Sequence, residues 1–381
     1  MTSIVERKLV WWRDVPIDVE IGLLTYLSEN WKNEIYVICA NDYESSRKQC
    51  AWNVESFDNV HIMIGKLDHP DNRVIIEQLL TENNVNVFSG IKGGHRKFLD
   101  KLVQIENSSC IVVMESTSVY GSRIRVAAKK IACPVIYGWY YRKYREVIKG
   151  LFTMGEDAVK QYALYGWKNI FDFMYLPKLK KADTVGDPKD GTVQETKMLY
   201  IGRFDFATKG VHILMDAIDH VHCSKPWRID LVGGYGAQKD EVLDWCRGKE
   251  HVRFLGSWDA DSVVEKMSDY DFCIVPSLYD GWNLAPLQAL HAGIGCIITD
   301  NAGSQELIRN SGAGAVIRSN DSNALRVLIQ KAIENRDLVE EWKTNTKEYV
   351  DKVSIGAVGN YFIQGIRYCY GELEEKPECP W

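Results

Sequence analysis

This sequence predicts an α/β fold built on parallel sheets and arranged as two successive domains, and three observations predict it. Short apolar runs of strand length alternate with amphipathic stretches of helical spacing along most of the chain. At 381 residues the chain exceeds one ordinary domain. One stretch, residues 178–196, breaks the rhythm: it is polar, carries Gly186, Pro188 and Gly191, and has almost no apolar periodicity, as an interdomain linker would. The expected organisation is an N-terminal domain over 1–178, a linker over 179–196, a second domain over 197–353 and a helical tail over 354–381 that returns to the first domain.

Taken in order, strands of the first series are expected at residues 8–12, 34–40, 60–64, 85–89, 110–114, 134–137, 151–153 and 171–175. Helical patterns lie between most of them, at 19–29, 71–80, 95–104, 122–131 and 156–165. The second series places strands at 198–201, 228–232, 252–255, 272–275, 296–299 and 315–317, separated by helices that include 211–221, 239–247 and 262–267. From residue 323 to about 374 the pattern is helical, interrupted near 353–359. Repeated strand–helix alternation argues for parallel sheets covered on both faces, hence two Rossmann-like domains with a cleft between them.

Composition narrows the function. Hydrophobic residues make up 46% and charged residues 26%, ordinary for a soluble globular protein. A net charge of −6 gives no global attraction to nucleic acid. No apolar stretch is long enough to span a bilayer, and the start MTSIVERKL lacks the apolar core of a signal peptide. The ten cysteines form no CxxC pair, and Cys39, Cys110, Cys273 and Cys296 sit in apolar strand-like runs. They read as reduced, buried thiols of a cytoplasmic protein.

The most informative stretch is residues 274–308. It reads as a buried strand, a tight turn over 276–281, a helix over 283–292, a second strand, and the loop Asp300-Asn301-Ala302-Gly303 opening another helix at Ser304. Two helix N-termini at the carboxyl edge of a parallel sheet present N–H groups and partial positive charge to an anion.

Four ordered motifs then carry a resemblance. They are Gly202-Arg203 with Lys209-Gly210; Leu231-Val232-Gly233-Gly234-Tyr235-Gly236; Val252-Arg253-Phe254-Leu255-Gly256; and PSLYDGWNLAPLQAL followed by TDNAGSQELI. In order and spacing, residues 198–318 resemble the retaining glycosyltransferases of family 4, which have the two-domain GT-B fold. The resemblance implies two Rossmann-like domains facing across a cleft. The nucleotide-sugar donor would lie on the second domain and the acceptor hydroxyl would arrive over the first.

A diphosphate leaving group gains charge as the glycosidic bond breaks, and two cations at a strand end and the following helix start can stabilise it. The resemblance gives that role to Arg203 and Lys209; the alternative is two solvated surface cations. No DxD-like aspartate pair ends a strand, so no metal is expected. Where the family has two glutamates eight positions apart, one on the donor sugar and one on the ribose, this chain has Asp280 and Gln288. Asp280 keeps the charge on a shorter stem, and Gln288 exchanges one acceptor oxygen for a donor. Gly281, Trp282, Asn283 and Leu284 stand where the family presents backbone amides to sugar and phosphate. Asn283 also suits the N-cap of a helix beginning at Leu284. The resemblance counts Gly202 and Gly234 among the donor-binding positions and places base contacts along the backbone of Phe254, Leu255 and Gly256. Glu306 reads as tightening the start of its helix.

The N-terminal half shows only the right rhythm. Trp12-Arg13-Asp14-Val15-Pro16 replaces the family's Gly-Gly turn, and Met114-Glu115-Ser116-Thr117 holds no histidine where the family often has one. Glu115 could serve at the reaction centre, or in a capping or interdomain role. His95 could face the cleft, or be a cap or solvated residue. The run Trp139, Tyr140, Tyr141, Arg142, Lys143, Tyr144, Arg145, with Lys149, interleaves rings and cations. It suits a membrane–water interface, carbohydrate stacking, a nucleic-acid backbone (against which the acidic overall charge argues), or a partly buried core with a solvated basic face.

The expected function is a metal-independent retaining glycosyltransferase that needs no cofactor. It would use a UDP-sugar first and a GDP-sugar second, act on a glycan or lipid-linked glycan in surface polysaccharide assembly, and bind no nucleic acid. It would be cytoplasmic, with peripheral contact at the inner membrane face. Two alternatives stay open: a catalytically degenerate nucleotide-sugar-binding or partner-stabilising subunit, and a nucleotide-sugar 2-epimerase-like enzyme.

Overall fold

The computed structural model describes residues 3–16, 19–42, 57–65, 67, 69–117, 121–179, 181 and 195–381. The chain forms two compact units, Met1–Lys178 with Ile355–Pro380, and Leu179–Ser354 with Trp381. Most of the expected linker, residue 180 and residues 182–194, lies outside the described residues.

Unit 1 holds strands β1 (Leu9–Arg13), β2 (Ile35–Cys39), β3 (Val60–Ile64), β4 (Val85–Ser89), β5 (Cys110–Met114), β6 (Ile148–Met154) and β7 (Ile170–Phe173). They form one parallel sheet in the order β3-β2-β1-β4-β5-β6-β7. Its helices are α1 (Ile21–Asn30), α2 (Pro70–Leu79), α3 (Arg96–Leu102), α4 (Arg123–Tyr144), α5 (Glu156–Leu164) and, from the end of the chain, α13 (Ile355–Cys369). A parallel sheet covered on both faces requires strands without a polar side, and β1, Leu-Val-Trp-Trp-Arg, is buried at every position. Its two tryptophans anchor opposite faces. Trp11 stacks on Phe362 of α13, ring centroids 5.8 Å apart, and Trp12 packs on Phe88 and Phe98.

The strand expected at 134–137 is not there. Those residues lie inside α4, which runs through Pro134. A proline beside β-branched residues reads locally as a helix end followed by a strand. Packing decides otherwise. Tyr140 and Tyr144 are buried, Tyr137 meets Tyr162 and Tyr165 edge-on and stacked, and the Trp167 indole donates to the Tyr137 carbonyl at 3.2 Å. The sheet position beside β5 belongs to β6.

Unit 2 holds β8 (Thr196–Ile201), β9 (Trp227–Val232), β10 (Val252–Phe254), β11 (Phe272–Val275), β12 (Gly295–Thr299) and β13 (Gly314–Ile317). They are parallel, in the order β10-β9-β8-β11-β12-β13. Helices α6 (Val211–Asp219), α7 (Lys239–Cys246), α8 (Val263–Met267), α9 (Ala285–Ala292), α10 (Gln305–Ser311), α11 (Ser322–Glu334) and α12 (Arg336–Tyr349) complete it. Strand order reverses between β8 and β11, and the loops leaving their carboxyl ends are where an open α/β sheet binds ligand. Helix α12 is pinned beneath the sheet by Asp271, whose buried carboxylate accepts from Arg336 (2.6 Å), Lys343 (2.7 Å) and the Lys197 N–H (2.9 Å). Burial alone would raise this carboxyl; Lys343, the Lys197 amide and Arg336 together hold it below its ordinary range.

Cys39, Cys110, Cys273 and Cys296 are buried on β2, β5, β11 and β12, and every described cysteine is free. No helix among the described residues is long and apolar enough to cross a membrane.

Candidate donor site in unit 2

The site is built at the carboxyl ends of β8, β9, β10, β11 and β12. After β8 the chain turns through Gly202 and Arg203 into an Asx turn at Asp205. The Asp205 carboxylate accepts from the N–H groups of Ala207 (2.8 Å) and Thr208 (3.2 Å) and from the Thr208 hydroxyl (2.8 Å). Burial opposes its charge, but the Thr208 and Ala207 hydrogen bonds and the nearby Arg203 hold its pKa below the ordinary carboxylate range. Gly210 follows in the left-handed region (φ +65°) and opens α6.

This turn carries the loop after β11. The Thr208 carbonyl accepts from the N–H groups of Leu278 (2.8 Å) and Tyr279 (3.1 Å). The same loop is tied to the one after β12: Asp280 N–H donates to the Asn301 carbonyl (3.1 Å), Gly303 N–H to the Asp280 carbonyl (3.0 Å), and the Asn301 amide to the Leu278 carbonyl (3.1 Å). Three strand-end loops are thus welded into one platform.

Lys209 and Asp280 form an ion pair that is mostly shielded, with 17% and 13% of their side chains exposed. Asn283 completes it. Its amide nitrogen donates to the same Asp280 oxygen at 2.8 Å, while its amide oxygen accepts from the Ala285 N–H at 2.9 Å. Helix α9 begins at Ala285, two residues after the start of the expected 283–292 helix and one after Leu284, so Asn283 steadies the first turn from outside it. Arg203 is exposed and forms no ion pair among the described residues. Trp282 is buried, with an indole N–H that has no partner among the described residues, and Gln288 is half-buried on the first turn and a half of α9.

Small residues let the neighbouring loops close in. A Cβ on Gly233 would lie 2.2 Å from the Gly202 carbonyl oxygen, and one on Gly234 2.2 Å from the Ser257 hydroxyl. Gly233 N–H donates to the Gly256 carbonyl at 2.9 Å, so Gly202, Gly233, Gly234 and Gly256 lie along one edge, with Phe254 half-buried and Leu255 exposed. Glu306 is buried at the start of α10 and accepts from the Trp381 indole at 3.3 Å.

Sequence reasoning missed Asp205, although Asp-x-x-Thr ahead of an apolar helix is a legible turn signal. It also did not foresee that Lys209 rests on Asp280. Behind the platform, His291 of α9 is buried and hydrogen-bonds the Leu287 carbonyl through Nδ1 at 2.9 Å. Burial lowers its pKa, aided by Lys181 and opposed by the Leu287 contact and Asp351. The unfolded chain therefore takes up this proton first, at the ordinary value near about 6.5, and stability falls as pH drops through that value. We expect the urea midpoint of the wild type to decline between neutral pH and pH about 5.5, and His291→Gln to flatten that decline.

Glu115 is exposed at the end of β5. The Tyr175 phenol donates to its Oε1 at 2.6 Å, and Tyr162 donates to its carbonyl at 2.9 Å. Burial and the adjacent Glu115 push the Tyr175 phenol well above its ordinary pKa, so it stays a donor. His95 is buried, with Nδ1 3.1 Å from Asp14 and Nε2 3.0 Å from the Gly90 carbonyl. It braces two loops and is not a solvated residue. In the aromatic run, Trp139 is half exposed, but Tyr140 and Tyr144 belong to the core. Lys143 reaches Asp100 at 2.6 Å.

Residues 195–335 match the model of the family described as glycosyl transferases group 1. The match lies wholly within unit 2 and contains Arg203, Lys209, Asp280 and Gln288. The chain is similar to two uncharacterized glycosyltransferases of Methanocaldococcus jannaschii. One is 23% identical over 253 residues, 64% of this chain and 60% of the relative. The other is 28% identical over 178 residues, 46% of this chain and 48% of the relative. The matched chain thus spans less than two thirds of either relative's length. Among solved structures, HepE of Anabaena in complex with UDP-glucose superposes with a TM-score of 0.67 at 14% identity, over 96% of this chain and 100% of that one. At that identity the likeness is one of fold: two parallel-sheet Rossmann-like domains of the GT-B type.

Proposed function

We propose that this chain is a metal-independent retaining glycosyltransferase of family 4, moving a sugar from a nucleotide-diphosphate donor to a hydroxyl of a glycan or lipid-linked glycan. The observation that carries the proposal is the pair of cations after β8. Exposed Arg203 and platform-held Lys209 stand at the carboxyl edge of the sheet, where the strand order reverses, and both lie within the residues that the family model matches. Arg203 and Lys209 would draw off charge from the departing diphosphate. Asp280, set by Asn283, would face the sugar, and Gln288 the ribose. The base would lie along Phe254, Leu255 and Gly256. UDP is the preferred nucleotide, in keeping with the UDP-glucose bound by HepE, and GDP the second. Unit 1 would receive the acceptor, with Glu115 as its polar candidate. Surface polysaccharide assembly at the inner membrane face is the setting we favour, without metal or other cofactor.

A second reading has its own support. The Lys209–Asp280 pair already satisfies the lysine's charge, which fits a degenerate subunit that holds a nucleotide-sugar without turning it over.

Incubation with UDP-glucose, UDP-galactose and GDP-mannose, with product anomers read by NMR, tests both. Slow release of UDP or GDP with an α-configured sugar product supports the retaining transferase. Nucleotide-sugar binding without release favours the degenerate subunit, and neither binding nor release contradicts the proposal.

A further inference from the structure

We propose that the exposed face of α4 is a docking surface for an anionic lipid bilayer. This deepens the peripheral-membrane part of the proposed function and rests on it. The helix is attached to unit 1 through its last turns, where Tyr140 and Tyr144 are buried. Between positions 124 and 139 no described side chain is buried. Along this free length Ile124, Ile131, Val135 and Trp139 are 84%, 75%, 70% and 52% exposed. Their spacings of seven, four and four residues put all four on one helical face. That stripe runs roughly 22 Å along the axis, long enough to lie flat in a membrane interface. Exposed apolar side chains in such a row mark an interaction surface.

The charges say what covers it. In a chain of net charge −6, residues 116–145 hold seven Lys or Arg and no Asp or Glu. Arg125 and Lys130 are exposed on either side of the stripe, and exposed Arg142 follows its C-terminal end. Lys143, 5.6 Å from the Trp139 ring centre, is paired with Asp100 at 2.6 Å, so the charge offered to headgroups is that of Arg125, Lys130 and Arg142, with Trp139 at the depth an interfacial ring takes. The occupant must therefore be anionic and offer an apolar layer beneath the charge. A lipid leaflet does both. A second copy meeting this face through two-fold symmetry would set like charge on like charge.

The test uses the full chain in sedimentation with vesicles of phosphatidylcholine alone, or with about one third phosphatidylglycerol. We expect binding to the anionic vesicles and release by high salt. Arg125→Gln with Lys130→Gln should lower the partition coefficient about 25-fold, at about fivefold per cation. Ile131→Ser with Val135→Ser should lower it roughly tenfold. Because these side chains are exposed, melting temperature should not change in either variant. Stabilisation by UDP, read on the same samples, belongs to unit 2 and should also be unchanged. Vesicle binding without a UDP effect would leave this inference standing and sink the donor reading. Absence of binding to anionic vesicles at low salt, equal binding to neutral ones, or wild-type partitioning of both variants would overturn the inference. So would a dimer that dissociates in the Ile131→Ser, Val135→Ser variant, which would give the face to a second copy.

Discussion

Arg203→Ala is expected to lower donor turnover by about 10²- to 10³-fold and to leave the melting temperature where it was. The first half follows from the charge that appears on the diphosphate as the sugar leaves. A positioned cation in a partly dehydrated site acts on that charge far more than on the ground state, and removing one such group costs a loss of this order. The second half follows from the exposure of Arg203 and its lack of an ion-pair partner among the described residues. Lys209→Ala should reduce turnover comparably, but it should also destabilise the fold by about 1–2 kcal/mol. It leaves the shielded Asp280 carboxylate with Asn283 and no cation. Asp280→Asn separates the two functions of the pair. Lys209 is then free of its counter-charge, so UDP affinity should hold or rise while sugar transfer falls. Steady-state kinetics and UDP titration on the three variants check this pattern. Equal losses of stability and activity in Arg203→Ala would sink it.

Gly210→Ala is expected to lower stability by about 3 kcal/mol. Two effects combine at this residue. Its φ of +65° is a conformation that costs an L side chain roughly 1–2 kcal/mol. Its Cβ would fall 2.1 Å from the Pro276 carbonyl oxygen, a backbone atom that cannot swing away. The loop after β11 would have to shift, breaking its register with Thr208. For a unit of this size the melting temperature should drop by about 6–12 °C. Gly248→Ala is the control. It shares the left-handed conformation (φ +74°) but has open space around its Cβ, so only the conformational cost of about 1–2 kcal/mol should remain. Equal melting temperatures for the two variants would show that the close approach to Pro276 is not tight.

The parallel order of both sheets was legible because strands covered on two faces carry uninterrupted apolar runs, as in β1 and β11. So was the site platform, since glycines and short polar residues cluster at strand ends where backbones must approach. What escaped was decided by contacts distant in sequence. Pro134 signals a break locally, yet α4 continues because Tyr137 and Tyr141 have aromatic partners on and beyond α5 and Tyr140 and Tyr144 are buried. The pairing of Lys209 with Asp280 joins residues 71 positions apart, and nothing local announces it. Within the aromatic run, burial sorts Tyr140 and Tyr144 from Trp139 by helical phase, and that phase is visible only once the segment is known to be a helix. In unit 1, His95 is held between Asp14 and a backbone carbonyl by a loop the sequence does not place.

In the proposed reaction, unit 2 holds a nucleoside diphosphate through Arg203 and Lys209. Thermal unfolding with UDP, GDP, dTDP, ADP and CMP, on wild type and on Arg203→Ala with Lys209→Ala, tests it most directly. A ligand bound only by the folded state, at about a hundred times its Kd, stabilises by roughly 2.7 kcal/mol. One diphosphate, UDP first, should therefore raise the wild-type melting temperature by several degrees, CMP should not, and the double variant should show no shift. If no diphosphate moves the wild type at millimolar concentration, or if the double variant responds as fully as the wild type, the claim is contradicted.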